Sequence, residues 1–436
     1  MKHAALAGIL SCLAACGGPD RVPPAGGVPE KQQPVSVEIV AEDGQFWLLR
    51  GGERYVIRGA GVDSGELEAL AAHGGNSLRT WSTDASTGAL LDEAARRGLT
   101  VVLCLNIGRE RQGFDYDDPQ AVAAQLAFAR SEVDKYRNHP SLLAWMIGNE
   151  PNLGFSNPRV FDAINDISRM IHEVDGNHPT TVALAGFNEE LAALLESRAP
   201  DLDFVSIQMY GELVHLPGII ARMGYAKPLM VTEWGAIGHW ETPKTAWDAP
   251  IEQTSSAKAD NYLKGWREGL GPVAGQLLGS YVFLWGQKQE RTSTWYGMFL
   301  ADGSETEAVD VMHYLWSDAW PANRAPRTES LLLDSKTAIQ NIRLSPGDEY
   351  VASVVASDRD GDALRFHWEV MRESTATQEG GDPEQVPEVI DDLLATADTQ
   401  TVAITAPARS GAYRLFVYVY DGEGNAGHAN VPFLVE

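Results

Sequence analysis

The sequence predicts an α/β fold, a parallel (β/α)8 TIM barrel, followed by a small all-β sandwich of immunoglobulin-like type. Three features carry this expectation. Eight short apolar runs alternate with longer helical patterns over roughly residues 37–322, and the runs are apolar almost throughout, as strands covered on both faces should be. That span suits a barrel, whose usual size is about 250 residues or more. From residue 323 onward the helical patterns give way to period-two alternation broken by Asp/Gly turns. A doubly wound open sheet is the competing arrangement; it would carry a Gly-rich phosphate loop after its first strand, and none is present.

The chain opens with Lys2 and the apolar run "AALAGILSCLA", and reaches "LAAC" at Cys16. A charged start, a short apolar centre and a small-residue end make residues 1–15 a secretory signal, too short to span as a mature helix. "LAAC" followed by "GG" resembles the lipobox of bacterial lipoproteins. That resemblance implies lipidation of Cys16 as the mature N-terminus, and Gly17 in place of Asp is similar to the outer-membrane sorting pattern. Both imply an exported, lipid-anchored protein of the cell envelope. Residues 16–36 are rich in Gly and Pro and are expected to be a flexible tether.

A small hairpin with turns at Asp43-Gly44 and Gly51-Gly52 then leads into the barrel. Strands are expected near residues 56–61, 77–81, 100–106, 142–149, 180–184, 204–209, 229–233 and 277–285. A helical pattern follows each, from "GELEALAAHG" to "EAVDVMHYLWSDAW", and stretches such as "LDEAARRG" stop on glycine. Beyond "PANRAP", residues 323–436 are expected to form the sandwich, which resembles the immunoglobulin-like or PKD-like modules of exported enzymes, with turns at "DRDGD" and "DGEGN" and one helical candidate, "VPEVIDDLLATA". "SDRDGD" has oxygen ligands at alternate positions but lacks the twelve-residue calcium loop, so a plain turn is expected.

Sixty acidic against 34 basic residues give a net charge of −26. Such a surface repels nucleic-acid phosphates and anionic lipid, leaving the lipid anchor as the one expected membrane contact. A neutral substrate is the least constrained. Cys12 and Cys16 lie in or at the end of the signal, so Cys104 alone remains in the body and no internal disulfide can form. It sits in "TVVLCLNI" and is expected to be a small buried hydrophobe. No CxxC, HExxH or His/Cys cluster supports a metal site.

Two apolar runs end in glutamate: "WMIGNEPN" at Glu150 and "LMVTEWG" at Glu233. They close the fourth and seventh predicted strands. In a (β/α)8 barrel, catalytic groups gather where strands end, so both carboxylates should face one cup. Two carboxylates across a cleft are what glycosidic cleavage needs: one protonates the leaving oxygen, the other attacks or activates water. At about 5–5.5 Å apart they leave no room for water, and the second becomes a nucleophile. The acid should have a raised pKa, pushed up by apolar walls and the other carboxylate.

"HPSLLAWMIGNEPN" and "KPLMVTEWG" resemble the acid/base and nucleophile motifs of clan A glycoside hydrolases, most of all the barrel domain of glycoside hydrolase family 2. "NSLRTWSTDASTGALLDEAARRGLTVVLCL" is similar to β-1,3-glucan-processing members, including the family 72 glucanosyltransferases. The resemblance covers most of residues 55–316 and implies roles position by position: Glu150 as acid/base, Asn149 on the sugar 2-hydroxyl, and Glu233 as nucleophile. It further implies support of Glu233 by Arg79 and Tyr210, and Trp285 as the aromatic floor. The chain lacks the long N-terminal sandwich domains of family 2, which leaves substrate class open.

Trp81, Trp234, Trp240, Trp295 and Tyr296 follow strand ends and are candidate sugar-stacking walls, or core. His139 and His178 each precede a proline and look like strand-entry residues. The polar "NIGRERQGFDYDDP", with Arg109 and Arg111, is either a subsite loop or a solvated charge run. The expected activity is a retaining β-glycoside hydrolase needing no cofactor, acting on a carbohydrate; the family resemblance favours β-glucan and β-1,3 linkage, with mannan or galactan linkages left open. A glucanosyltransferase using the same glutamates, and a non-catalytic carbohydrate-binding lipoprotein, are the alternatives.

Overall fold

Eight strands pair in parallel and close into a barrel whose order around the wall follows the chain. In this computed structural model residues 33–62, 67–395 and 398–436 are described; the predicted signal, Cys16 and nearly all of the tether lie outside them. An antiparallel hairpin comes first, β1 (Val37–Glu42), β2 (Gln45–Arg50) and β3 (Glu53–Arg54). The barrel strands are β4 (Gly59–Gly61), β5 (Ser77–Arg79), β6 (Thr100–Leu105), β7 (Leu142–Asn149), β8 (Thr180–Ala185), β9 (Val205–Gln208), β10 (Leu229–Gly235) and β11 (Leu277–Phe283). The helices that follow them in turn are α1 (Leu67–Ala72), α2 (Thr87–Arg96), α3 (Pro119–Tyr136), α4 (Arg159–Val174), α5 (Glu189–Arg198), α6 (Leu216–Met223), α7 (Ser255–Lys264) and α8 (Glu307–Ser317).

Local chemistry sets the helix starts. Asp118 accepts from the amides of Gln120 and Ala121 ahead of Pro119, and Asn188 and Thr254 cap α5 and α7 in the same way. Alternation divides the core. On β6, Val101, Leu103 and Leu105 pack outward with the helices, while Val102 and Cys104 join Met146, Ala183 and Met230 inside the barrel. The hairpin adds Val37, Leu48 and Ile57 to that interior cluster. It is tied to the N-terminal ends of the strands: Arg50 donates to the Pro140 carbonyl at 2.7 Å and the Tyr55 hydroxyl to that of Asn76 at 2.7 Å. The N-terminal end is thus plugged, and the opposite end carries the cleft.

The all-β part has a three-stranded and a four-stranded sheet around a shared core. The first is ordered β12 (Arg327–Leu333), β14 (Glu349–Ser357), β16 (Thr401–Thr405); the second β13 (Arg343–Leu344), β18 (Ala426–Val435), β17 (Gly411–Tyr420), β15 (Arg365–Arg372). Pairing is antiparallel except between β13 and β18. One expectation fails here. The described part of "VPEVIDDLLATA" is not helical; Val389 bridges Met371 and Leu394 bridges Ile404. Its Ile390, Leu393 and Leu394 are drawn onto the sandwich core, and that packing overrides helix propensity. In "SDRDGD", the Asp358 carboxylate accepts from the amides of Asp360, Gly361 and Asp362, so the motif is a turn.

Barrel and sandwich lie within one compact unit, residues 33–436. They meet across buried polar groups. Glu252, before α7, pairs with Lys258 and accepts from Thr292 at 2.5 Å, Thr294 at 2.9 Å and Asn430 of β18 at 2.6 Å. Arg414 of β17 binds Asn430 at 2.7 Å, Glu373 at 2.7 Å and the Pro250 carbonyl at 2.8 Å.

Candidate active site

A regular strand would put Asn149 and Glu150 on opposite faces. β7 avoids this by breaking its register with β8 between Met146 and Asn149. Gly148 at φ +84° and Glu150 at φ +52° make the break, conformations that glycine accepts freely and glutamate adopts at a cost. Both side chains then line one cleft of about 410 Å³ at the C-terminal end of the barrel, together with Glu233 of β10.

Glu233 is surrounded by donors. Its Oε1 accepts from Arg79 Nη1 at 2.7 Å, Trp81 Nε1 at 2.7 Å and Gln208 Nε2 at 2.9 Å, and its Oε2 from the Tyr210 hydroxyl at 2.5 Å. Arg79 is fully buried and its other arm donates to Asn149 Oδ1 at 2.7 Å. Gln208 also donates to Asn149 Oδ1, at 2.7 Å. With that oxygen taken twice, the Asn149 amide is oriented so that its NH2 is the group left for a ligand in the cleft. Burial and the Glu233 charge push the Tyr210 phenol well above its ordinary value, so it acts as a donor.

Glu150 is set differently. It keeps part of its surface open to the cleft. Burial of the carboxyl, reinforced by the Glu233 charge and opposed by Arg79, Arg109 and Arg111, pushes its pKa up to about 8. One carboxyl is thereby kept protonated at neutral pH beside another that is ringed by donors, and such a pair divides into an acid and an anion.

Arg79, Asn149, Glu150, Tyr210, Glu233 and Trp81 are brought together as the sequence predicted. Trp285, Trp234 and Trp295 are not, and the expectation that they line the site is corrected. Glu233 faces inward, so its neighbour Trp234 turns out to the helices, against Tyr262 and Trp266. β11 ends at Phe283, and Trp285 beyond it is buried against Phe299 and Trp316. Trp295 is buried, donating to the Ile237 carbonyl at 2.9 Å. The aromatic wall at this end of the barrel is Phe283, edge-on to Trp81 and Tyr210, with the exposed Trp240 at the rim. His139 and His178 pair with Asp92 and Asp175 at the strand-entry end, away from the cleft.

Sequence reasoning missed Gln208 and Phe283, and the signal was there: both continue the inward parity of an apolar strand. It also missed residues 380, 381, 383 and 384, which reach the cleft from the sandwich. In the polar loop after β6, Arg109 lines the cleft, while Arg111 and Gln112 bind Asp382 of the sandwich.

Residues 76–249 match the family described as glycosyl hydrolases family 2, TIM barrel domain. A probable mannan endo-1,4-beta-mannosidase A-1 of Aspergillus terreus is 24% identical over 186 residues, 37% of this chain and 47% of its own. Mannan endo-1,4-beta-mannosidase 2 of Arabidopsis thaliana is 31% identical over 96 residues, 17% of this chain and 22% of its own. The chain therefore spans less than half the length of these curated relatives. Among solved structures, Bacteroides uniformis beta-glucuronidase 2 aligns with TM-score 0.51 at 13% identity, over 92% of this chain and 48% of that one. Bifidobacterium dentium beta-glucuronidase aligns with TM-score 0.50 at 17% identity, over 65% and 49%. These structural likenesses speak for the fold. The barrel thus resembles that of family 2 and of clan A glycoside hydrolases.

Proposed function

We propose that the chain is a retaining β-glycoside hydrolase with Glu150 as acid/base and Glu233 as nucleophile. The observation that carries this is the asymmetry of the two carboxyls in one cleft: Glu150 pushed up by burial and by Glu233, Glu233 ringed by Arg79, Trp81, Gln208 and Tyr210. A Glu233 oxygen bonds to the anomeric carbon as the glycosidic C–O bond breaks, and Glu150 gives its proton to the leaving oxygen. Water then adds to the anomeric carbon of the glycosyl-enzyme. Glu150 takes the water's proton, and the Glu233 carboxylate is released. A sugar hydroxyl in place of water would make the same site a transferase. Binding alone would not require a raised acid beside a four-donor carboxylate, which argues against a non-catalytic role.

The substrate is a neutral β-linked glycan. Of the cations lining the cleft, Lys288 already pairs with Glu290 at 2.9 Å and Arg109 faces Asp382 at 3.6 Å, which disfavours a uronate. β-Glucan, with β-1,3 linkage, is the polymer the family resemblance favours, and the two mannosidase relatives support the open alternative of β-1,4-mannan. Cys16 is the lipid attachment point of an envelope-anchored protein; fatty-acid labelling should vanish in Cys16→Ser. The decisive test is a 2-deoxy-2-fluoro glycoside. A covalent adduct mapped to Glu233, absent in Glu233→Gln, supports the reading, and product analysis on both polymers separates hydrolysis from transfer. Normal turnover by Glu233→Gln would overturn it.

A further inference from the structure

The connection between β15 and β16 does not stay on the sandwich. Its residues 376–384 lie across the C-terminal end of the barrel. Arg111 donates to Asp382 at 2.7 and 3.3 Å, and Gln112 donates to it at 3.1 Å. Lys288 donates to the Gly381 carbonyl at 2.8 Å. Arg291 holds the carboxylate of Glu384, by its amide at 2.7 Å and its guanidinium at 3.2 Å, and also the Gln378 carbonyl at 2.8 Å. The Glu384 side chain is only 1% exposed.

Gly380 and Gly381 have φ of +63° and +73°. A Cβ on Gly380 would lie 2.7 Å from Leu153 and 2.9 Å from Arg111; one on Gly381 would lie 2.8 Å from the Lys288 amine. The segment therefore packs under the side-chain tips of Leu153, Arg111 and Lys288, and its positive φ values are ones that glycine adopts freely.

Its anchors fix its direction. Arg111 and Gln112 follow β6, and Lys288 and Arg291 follow β11. Around the wall these strands are separated by β4 and β5. The segment thus bridges the mouth above β4 and β5, and Gly380, Gly381, Pro383 and Glu384 line the cleft that holds Glu150 and Glu233. Tyr210 and Trp240, after β9 and β10, line the same cleft.

We propose that this segment is a fixed end wall of the substrate cleft, so that a glycan chain cannot run through it and is cut from one end. The sandwich is then part of the specificity machinery of the barrel. The proposal rests on the glycosidase reading for its reaction, though not for its geometry. Two variants test it: a chain with residues 378–384 replaced by a short Gly-Ser link, and Asp382→Ala, which loosens the wall while keeping its length.

On soluble β-1,4-mannan and β-1,3-glucan, viscosity loss per new reducing end is independent of total activity. It should be low for the native chain and rise about tenfold in the shortened chain, with Asp382→Ala between them. The same ratio in all three overturns the wall. Calorimetry on chains also carrying Glu233→Gln, with β-linked oligosaccharides from disaccharide to hexasaccharide, gives a readout without turnover. Affinity should level off with length in the native cleft and keep rising in the shortened one; parallel curves overturn the proposal. If the native chain cleaves no glycoside at all, the hydrolase reading fails by itself and the calorimetric series still decides the wall.

Discussion

Glu150 is the residue whose titration has the most visible consequences. As a proton donor it must be protonated, so kcat/KM on an unactivated substrate should fall as pH rises through about 8. Glu150→Gln should lower that rate by about 10²–10⁴-fold and spare an aryl glycoside whose leaving group needs no proton. Stability falls in the same direction, but over a lower pH window. A carboxyl whose folded pKa lies above its ordinary 4.5 binds its proton more tightly in the fold, so between pH 4.5 and about 8 stability declines as pH rises. Glu150→Gln removes that penalty. Its unfolding free energy, from denaturant titration, should match the native one near pH 4 and exceed it near pH 9, by roughly 1–3 kcal/mol. An equal difference at both pH values would show that Glu150 is not buried beside a second charge. Cys104 offers a contrast: burial pushes its thiol up to about 11, so a thiol reagent should label the native chain only after unfolding.

At the scale of elements, β7 decides whether the two carboxyls can meet. Alanine at Gly148 would hold φ +84° against its preference and place a Cβ 2.4 Å from Ile107. Gly148→Ala should cost about 1–3 kcal/mol in denaturant unfolding and lower kcat at least about tenfold by turning Glu150 away. A stable variant with native kcat would show that the register break does not aim the acid. The eight-fold rhythm was legible because parallel strands are apolar on both faces, and "LLAWMIGN" is observed as a strand over the expected residues. The register break was not legible: Gly148 is one glycine in a buried run, and nothing local says which way the chain turns. Trp234 was misplaced because the residue after an inward carboxylate faces out. The "GGDPE" wall was invisible for another reason. It has no periodicity, and Asp382 meets Arg111 across 271 positions of sequence.

For the whole molecule, the wall works only if the sandwich is held rigidly, and the buried junction does this. Burial alone would raise the Glu252 carboxyl; Lys258 and the hydroxyls around it outweigh burial and bring it down to about 2. Because 4.5 is its ordinary value, the stability it contributes is present above pH 4.5 and is lost as pH falls toward about 2. The native chain should therefore lose its junction on acidification in that window, and Glu252→Gln, already uncharged, should be less stable at pH 7 but flatter in its acid profile. Lys258→Met leaves a buried carboxylate without its cation, and should cost about 3–5 kcal/mol at pH 7. That variant separates two accounts of the junction. If it is a rigid mount for the cleft wall, Lys258→Met should shift polymer cleavage toward internal bonds at temperatures well below its unfolding midpoint. If the junction serves stability alone, the midpoint should fall while the ratio of viscosity loss to new chain ends stays at the native value.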